Sequence, residues 1–246
     1  MFKEVGGYIL SMKVACAQLD VSWENPAENF EKAKKLANEC VRDGAQMICF
    51  PELFSTGVTL NSKRFAQELG GSTCNFLSTL AKENRIYIVG SFIEDAGKGL
   101  PRNTLVAYDN LGKMIGKYSK THLFTLGEEH NAYRQGGEIT VFDALGVRFC
   151  PLICYDLRFQ DEFKKGLELG AQVFIVCASW PSQRRGDWVS LLEKRALENK
   201  TYVVGVNQVG RSPNNNFSGD SVVHAPDGRV LARAGARQQI ITADLL

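Results

Sequence analysis

The chain has 246 residues, 44% of them hydrophobic and 10% aromatic, which suits one domain of the larger kind with an ample core rather than two. With 29 Lys and Arg against 27 Asp and Glu the net charge is +2, so composition forces no basic face for nucleic acid, and small molecules are the expected ligands. Seven cysteines without a CxxC pair point to reduced thiols in a cytoplasmic setting, while scattered His122, His130 and His224 exclude a zinc cluster and no segment reads as a membrane span.

Residues 1–11, interrupted by Gly6 and Gly7, lack the apolar run of a signal peptide and read as an N-terminal extension, leaving a single domain over residues 12–246. A strand is expected over residues 14–19. Asn25 then caps a helix with Pro26 at its first position and Glu28 three residues past the cap. Its buried face is Phe30, Ala33, Ala37 and Cys40 or Val41, and Gly44 ends it. The run Met47-Ile48-Cys49-Phe50 leads directly into Pro51-Glu52. A second helix over residues 75–84 precedes a strand over 87–92, and segments 104–108 and 114–118 flank a turn at Asp109-Asn110-Leu111-Gly112-Lys113 as an antiparallel hairpin. That hairpin excludes a purely parallel sheet.

Val141-Phe142 pairs with residues 149–153, a helix over 161–169 ends at Gly170, and residues 173–178 form an uncharged strand. The last helix, over 187–199, leads to a strand over 202–206. A terminal meander then runs through 221–224, turns at Pro226-Asp227-Gly228, returns through 230–232 and ends with Ile240-Ile241-Thr242. Residues 212–216 read as a flexible loop. The order fits mixed sheets with helices on their outer faces.

Chemistry concentrates where apolar runs stop at a polar side chain. Glu52 follows one such run, Lys120 follows the 114–118 strand, and Cys154 ends Val147-Arg148-Phe149-Cys150-Pro151-Leu152-Ile153. A strand end is where a rigid sheet presents reactive groups. A lone cysteine in such a run packs as a small core residue, and Cys150 reads that way. A thiol, a carboxylate and an ammonium together are the set that amide hydrolysis through a thioester requires: nucleophile, proton acceptor and oxyanion partner.

The PELF segment at Glu52, the SKTHLF segment at Lys120 and the CYDLRF segment at Cys154, in that order, resemble the Glu-Lys-Cys triad of the nitrilase superfamily of carbon-nitrogen hydrolases. The resemblance runs from about Lys13 to the C-terminus. Within the superfamily, CYDLRF, Ser179-Trp180-Pro181 and Arg195-Ala196-Leu197-Glu198-Asn199 are most similar to the omega-amidases. Nitrilases proper carry Trp-Glu after the cysteine, so Tyr155-Asp156 speaks against nitrile hydrolysis. The resemblance implies an α/β fold, the four-layer αββα sandwich with mixed sheets, and a homodimer.

It also implies roles. Glu52 takes the thiol proton, passes it to departing ammonia and then activates water. Lys120 and the N–H of Tyr155 face the oxyanion. Of Glu128 and Glu129, the second stands seven residues before Gly136, as the second glutamate of the family does, and is expected to orient Lys120. Trp180 reads equally as a pocket wall or as core. Arg184, four residues later, is the candidate clamp for a substrate carboxylate, with Arg185 as its neighbour. Arg158 reads as a structural ion-pair or dimer residue and His122 as structural. Asp187 stands where omega-amidase-like chains commonly have His, and the chain stops at Asp244-Leu245-Leu246 without their usual tail.

The expected activity is a thiol amidohydrolase without cofactor or metal, releasing ammonia from a small linear amide such as 2-oxoglutaramate. The alternatives are a carbamoyl-group or general aliphatic amidase and a catalytically silent binding relative.

Overall fold

Val14, Ala15, Cys16 and Ala17 are all fully buried, which consecutive strand residues achieve only when both faces of their sheet are covered. The computed structural model describes residues 12–245, so the expected 1–11 extension lies outside the described residues. The chain first lays down β1 (Met12–Gln18), β2 (Met47–Cys49), β3 (Tyr87–Glu94), β4 (Arg102–Tyr108) and β5 (Met114–Ser119). β1, β2 and β3 run parallel, and β4 and β5 add antiparallel at the edge. Helices α1 (Pro26–Arg42) and α3 (Ser72–Asn84) cover the outer face, with the one-turn α2 (Ser62–Phe65) between them in sequence.

The second sheet is built from β6 (Phe142–Ala144), β7 (Val147–Ile153), β8 (Val173–Ala178), β9 (Tyr202–Asn207) and the pair β12 (Val222–His224) and β13 (Val230–Arg233). Its outer face carries α5 (Gln160–Glu168) and α6 (Arg185–Asn199), which follow the one-turn α4 (Glu129–Ala132) in the chain. Phe174 turns toward α5 and packs on Phe163 at 4.7 Å between ring centroids. The helix can come this close because it presents Gly166, where a Cβ would stand 2.6 Å from the Phe174 ring and 2.9 Å from Cys150 Sγ. The two sheets face each other across an apolar layer, giving the four-layer αββα sandwich.

At α1 the predicted cap is present: Asn25 Oδ1 accepts from the Glu28 N–H at 3.3 Å and Asn25 Nδ2 donates to Glu28 Oε2 at 2.9 Å. Its buried face is Asn29, Ala33, Leu36, Ala37 and Cys40, whereas Val41 faces solvent. Phe30 is only half-buried and stacks on Phe76 of α3 at 4.3 Å.

The expected terminal meander is half corrected. β12 and β13 do form an antiparallel hairpin, but the last strand, β14 (Gln239–Leu245), leaves that sheet and pairs antiparallel with β1, from Met12 opposite Leu245 to Gln18 opposite Gln239. Ile240 and Ile241 point to opposite faces, one into the α1 layer and one between the sheets. That alternation satisfies either sheet, so hydrophobic period does not choose between them. The expected 212–216 loop is one residue shorter: residues 212–215 connect β10 (Val209–Arg211) to β11 (Asn216–Ser218), and the Ser212 N–H donates to Asn215 O at 2.8 Å.

Candidate active site

Glu52, Lys120 and Cys154 each follow a strand end, from β2, β5 and β7. Glu52 sits in the turn after β2, where Leu53 adopts a left-handed φ of 46° and donates its N–H to Ser91 Oγ at 2.6 Å. Lys120 is tied on both sides, its N–H donating to Asn103 O at 2.9 Å and its carbonyl accepting from Gly136 N–H at 2.7 Å. Cys154 opens a 3₁₀ turn, Cys154–Arg158, with a φ of 49°. A non-glycine residue in the left-handed region costs on the order of 1 kcal/mol or more and persists where surrounding bonds hold it. Asp156 supplies them. Buried at 0% exposure, its carboxylate accepts from Ile153 N–H at 3.0 Å and Tyr118 OH at 2.7 Å, and from His122 N–H at 2.9 Å and Thr121 Oγ1 at 3.1 Å. One carboxylate thereby fastens the Cys154 turn to the segment that carries Lys120.

Lys120 Nζ lies 2.8 Å from Glu52 Oε1 and 2.8 Å from Glu129 Oε1. The remaining carboxylate valences are also filled. Glu52 Oε1 accepts from Asn103 Nδ2 at 2.7 Å, Glu52 Oε2 from the Ser179 N–H at 2.9 Å, and Glu129 Oε2 from the Phe124 N–H at 2.9 Å. Burial alone would depress the Lys120 ammonium, but the Glu129 and Glu52 carboxylates outweigh it and hold its pKa well above the ordinary lysine value. Burial pushes Glu129 upward against the pull of Lys120. For Cys154, burial and then the Glu52 charge raise the thiol well above its usual range, with Lys120 opposing. A thiol disfavoured as thiolate in this way needs a proton acceptor before it attacks a carbonyl.

Glu128, the alternative to Glu129, is exposed at a φ of 58° and makes no contact with Lys120. Asn103 has no place in the sequence motifs, and Ser179 stands there only as part of the Ser179-Trp180-Pro181 step, with no link to Glu52. A signal for Asn103 exists: it lies on the same face of β4 as Leu105 and Ala107, a polar residue in an apolar inward register. Gly136 also has a steric reason, since a Cβ there would fall 2.0 Å from Ser119 O, immediately before Lys120. Gly136→Ala should consequently shift that segment, costing about 1–3 kcal/mol of stability by overpacking and lowering turnover as well. Urea unfolding beside steady-state kinetics tests this, and a variant matching wild type in both would contradict it.

Cys154, Glu52 and Glu129 line a cleft of about 650 Å³, together with Tyr155, Trp180 and Arg184. Trp180 serves both expected readings: it borders the cleft, yet it is 3% exposed, packs on Trp188 at 5.6 Å and donates its Nε1–H to Arg184 O at 2.8 Å. The Arg184 guanidinium rests 4.6 Å above the Phe124 ring and has no carboxylate partner among the described residues. Arg185 is not available beside it, being held by both oxygens of Asp220 at 2.6 Å. Arg158 departs from the purely structural reading. It does pair with Asp187 at 2.5 Å, but it also lines the cleft, 5.7 Å from the Tyr155 ring and 5.0 Å from that of Trp180. His122 is structural, bonded to Glu162 at 2.9 Å and stacked on Phe159 at 3.6 Å. Among the described residues no cluster of His, Cys, Asp or Glu could hold a metal ion, and no helix is long and apolar enough to cross a membrane.

The carbon-nitrogen hydrolase family pattern matches residues 13–246. The chain belongs to the carbon-nitrogen hydrolase family. As a member it is 36% identical to a 2-oxoglutaramate amidase of Bacillus subtilis, across 94% of this chain and 90% of that one. It is 30% identical to the omega-amidase YafV of Escherichia coli, across 92% and 86%. Among solved structures, this carbon-nitrogen hydrolase superposes on the NitN amidase of Nesterenkonia sp. AN1 with a TM-score of 0.90 and 26% identity, over 96% and 93% of the two chains. A variant of that amidase carries acrylamide added at its active-site cysteine.

Proposed function

We propose that this carbon-nitrogen hydrolase is an omega-amidase whose nucleophile is Cys154, acting without a cofactor on a small linear amide that ends in a carboxylate, with 2-oxoglutaramate as the first candidate. The observation that carries the reading is the placement of one buried ammonium 2.8 Å from each of two carboxylates that line a cleft together with a thiol. Sγ of Cys154 attacks the amide carbon while Glu52 takes the thiol proton. The oxyanion forms beside Lys120 Nζ and the N–H of Tyr155, a residue in the first turn of its 3₁₀ helix, where N–H groups lack intrahelical acceptors. Glu52 then gives its proton to the leaving nitrogen, the carbon–nitrogen bond breaks and ammonia departs, leaving a thioester. Water, losing a proton to Glu52, adds to the thioester, and collapse returns the thiol and releases a carboxylic acid. Glu129 keeps Lys120 charged and in place.

Specificity for an anionic end is assigned to Arg184, with Tyr155 and Trp180 as walls. A carboxylate held there stays away from the negative charges of Glu52 and Glu129. A general aliphatic or carbamoyl-group amidase would lack that preference, and ammonia release from omega-amides, neutral amides, nitriles and carbamoyl compounds distinguishes these readings. On the omega-amidase reading Arg184→Ala loses roughly ten- to a hundredfold in kcat/KM on an omega-amide acid, the worth of a charge-assisted hydrogen bond, and little on its neutral ester. Equal losses on both substrates would mean that Arg184 supports the loop instead. The free, buried state of all seven cysteines supports a reducing, cytoplasmic setting, and family resemblance supports a homodimer.

A further inference from the structure

Asp187 lies in the first turn of α6, a place where the helix N-terminus favours a carboxylate. Its side chain is 52% exposed, yet Oδ2 stands 2.5 Å from Nη2 of Arg158, whose guanidinium lines the cleft against Tyr155 and Trp180. The cleft thus holds two guanidiniums in unlike electrical surroundings. That of Arg184 has no carboxylate partner among the described residues, whereas the charge of Arg158 is offset by Asp187, which is not itself part of the cleft lining. Arg158 has contacts besides Asp187: its guanidinium lies 5.7 and 5.0 Å from the Tyr155 and Trp180 ring centroids, and its backbone carbonyl accepts from Arg195 Nη2 at 2.7 Å.

We propose that Asp187 is a specificity-determining residue: by offsetting the charge of Arg158 it limits the attraction of the cleft for anionic amides and lets neutral amides compete. The inference rests on the amidohydrolase reading above. Removing the Asp187 charge leaves a second unopposed cation facing a substrate carboxylate. In a partly exposed position, where Coulomb interactions are attenuated by solvent and salt, this corresponds to about a three- to tenfold gain in binding.

The test compares kcat and KM of wild type, Asp187→Asn, Asp187→Ser and Asp187→Glu on glutaramate and on its neutral methyl ester, with thermal unfolding as a check on folding. Both Asn and Ser are compatible with a helix N-terminus. KM for glutaramate should fall about three- to tenfold in the Asn and Ser variants with kcat unchanged, the ester should respond less than twofold, and high salt should shrink the difference. Asp187→Glu should behave as wild type. A KM for glutaramate that rises or stays put in a folded variant, or a parallel change on both substrates, overturns this inference alone. Absence of ammonia release by wild type from both substrates overturns the omega-amidase reading and this inference with it.

Discussion

Glu52→Gln should lower kcat/KM on an omega-amide by about 10²- to 10⁴-fold while the protein stays folded, because the variant keeps the side-chain shape but not the capacity to take a proton. Glutamine retains an oxygen that can accept from Lys120 or Ser179, so the loss falls on chemistry more than on architecture. Cys154→Ala should lose at least as much. Combining the two should add little, since residues acting in one proton-transfer sequence are grossly non-additive. Steady-state ammonia release from the two single variants and the double variant tests this, and independent, multiplying losses or a Glu52→Gln variant within tenfold of wild type would refute the assignment of Glu52 as the base.

Lys120→Met should damage stability and activity together, by separable routes. Methionine fills the space but leaves the Glu52 and Glu129 carboxylates buried without their shared cation, and breaking a buried ion pair in this way costs about 3–5 kcal/mol. It also removes the proposed oxyanion donor, a loss on the order of 10² to 10³ in turnover. Adding Glu129→Gln to Lys120→Met should recover a large part of the stability by removing one unpaired charge, yet none of the activity. Urea unfolding and kinetics measured on the same samples distinguish the two. If the single variant unfolds at the wild-type midpoint, Lys120 is not the counter-ion that the geometry makes it.

Much of this site was legible in the chain because its principal groups sit at strand ends, where apolar runs stop at Glu52, Lys120 and Cys154. The Asn25 cap and the β4–β5 hairpin were legible for a similar reason, since the bonds that make them are local. What escaped depends on distance along the chain. Asn103 and Ser179 reach the Glu52 carboxylate from 51 and 127 residues away, and nothing in their immediate sequence announces that meeting. The place of β14 escaped because its alternating isoleucines suit both sheets equally. The cleft position of Arg158 escaped because an ion-pairing arginine carries no local sign of which surface it borders, and its guanidinium both pairs with Asp187 and lines the cleft. The locking role of Asp156 is of the same kind: the residue stands inside a recognisable motif, but its carboxylate reaches back to Ile153 and across to Tyr118, Thr121 and His122.

Amide hydrolysis on the proposed mechanism passes through a thioester on Cys154. The most direct measurement is mass spectrometry of protein quenched in acid during turnover of a slow omega-amide, followed by peptide mapping. The expected result is an acyl adduct confined to the peptide carrying Cys154, chased away as the substrate is exhausted and absent from Cys154→Ala. An adduct on Cys150 or Cys177, or undiminished ammonia release by Cys154→Ala, would contradict it.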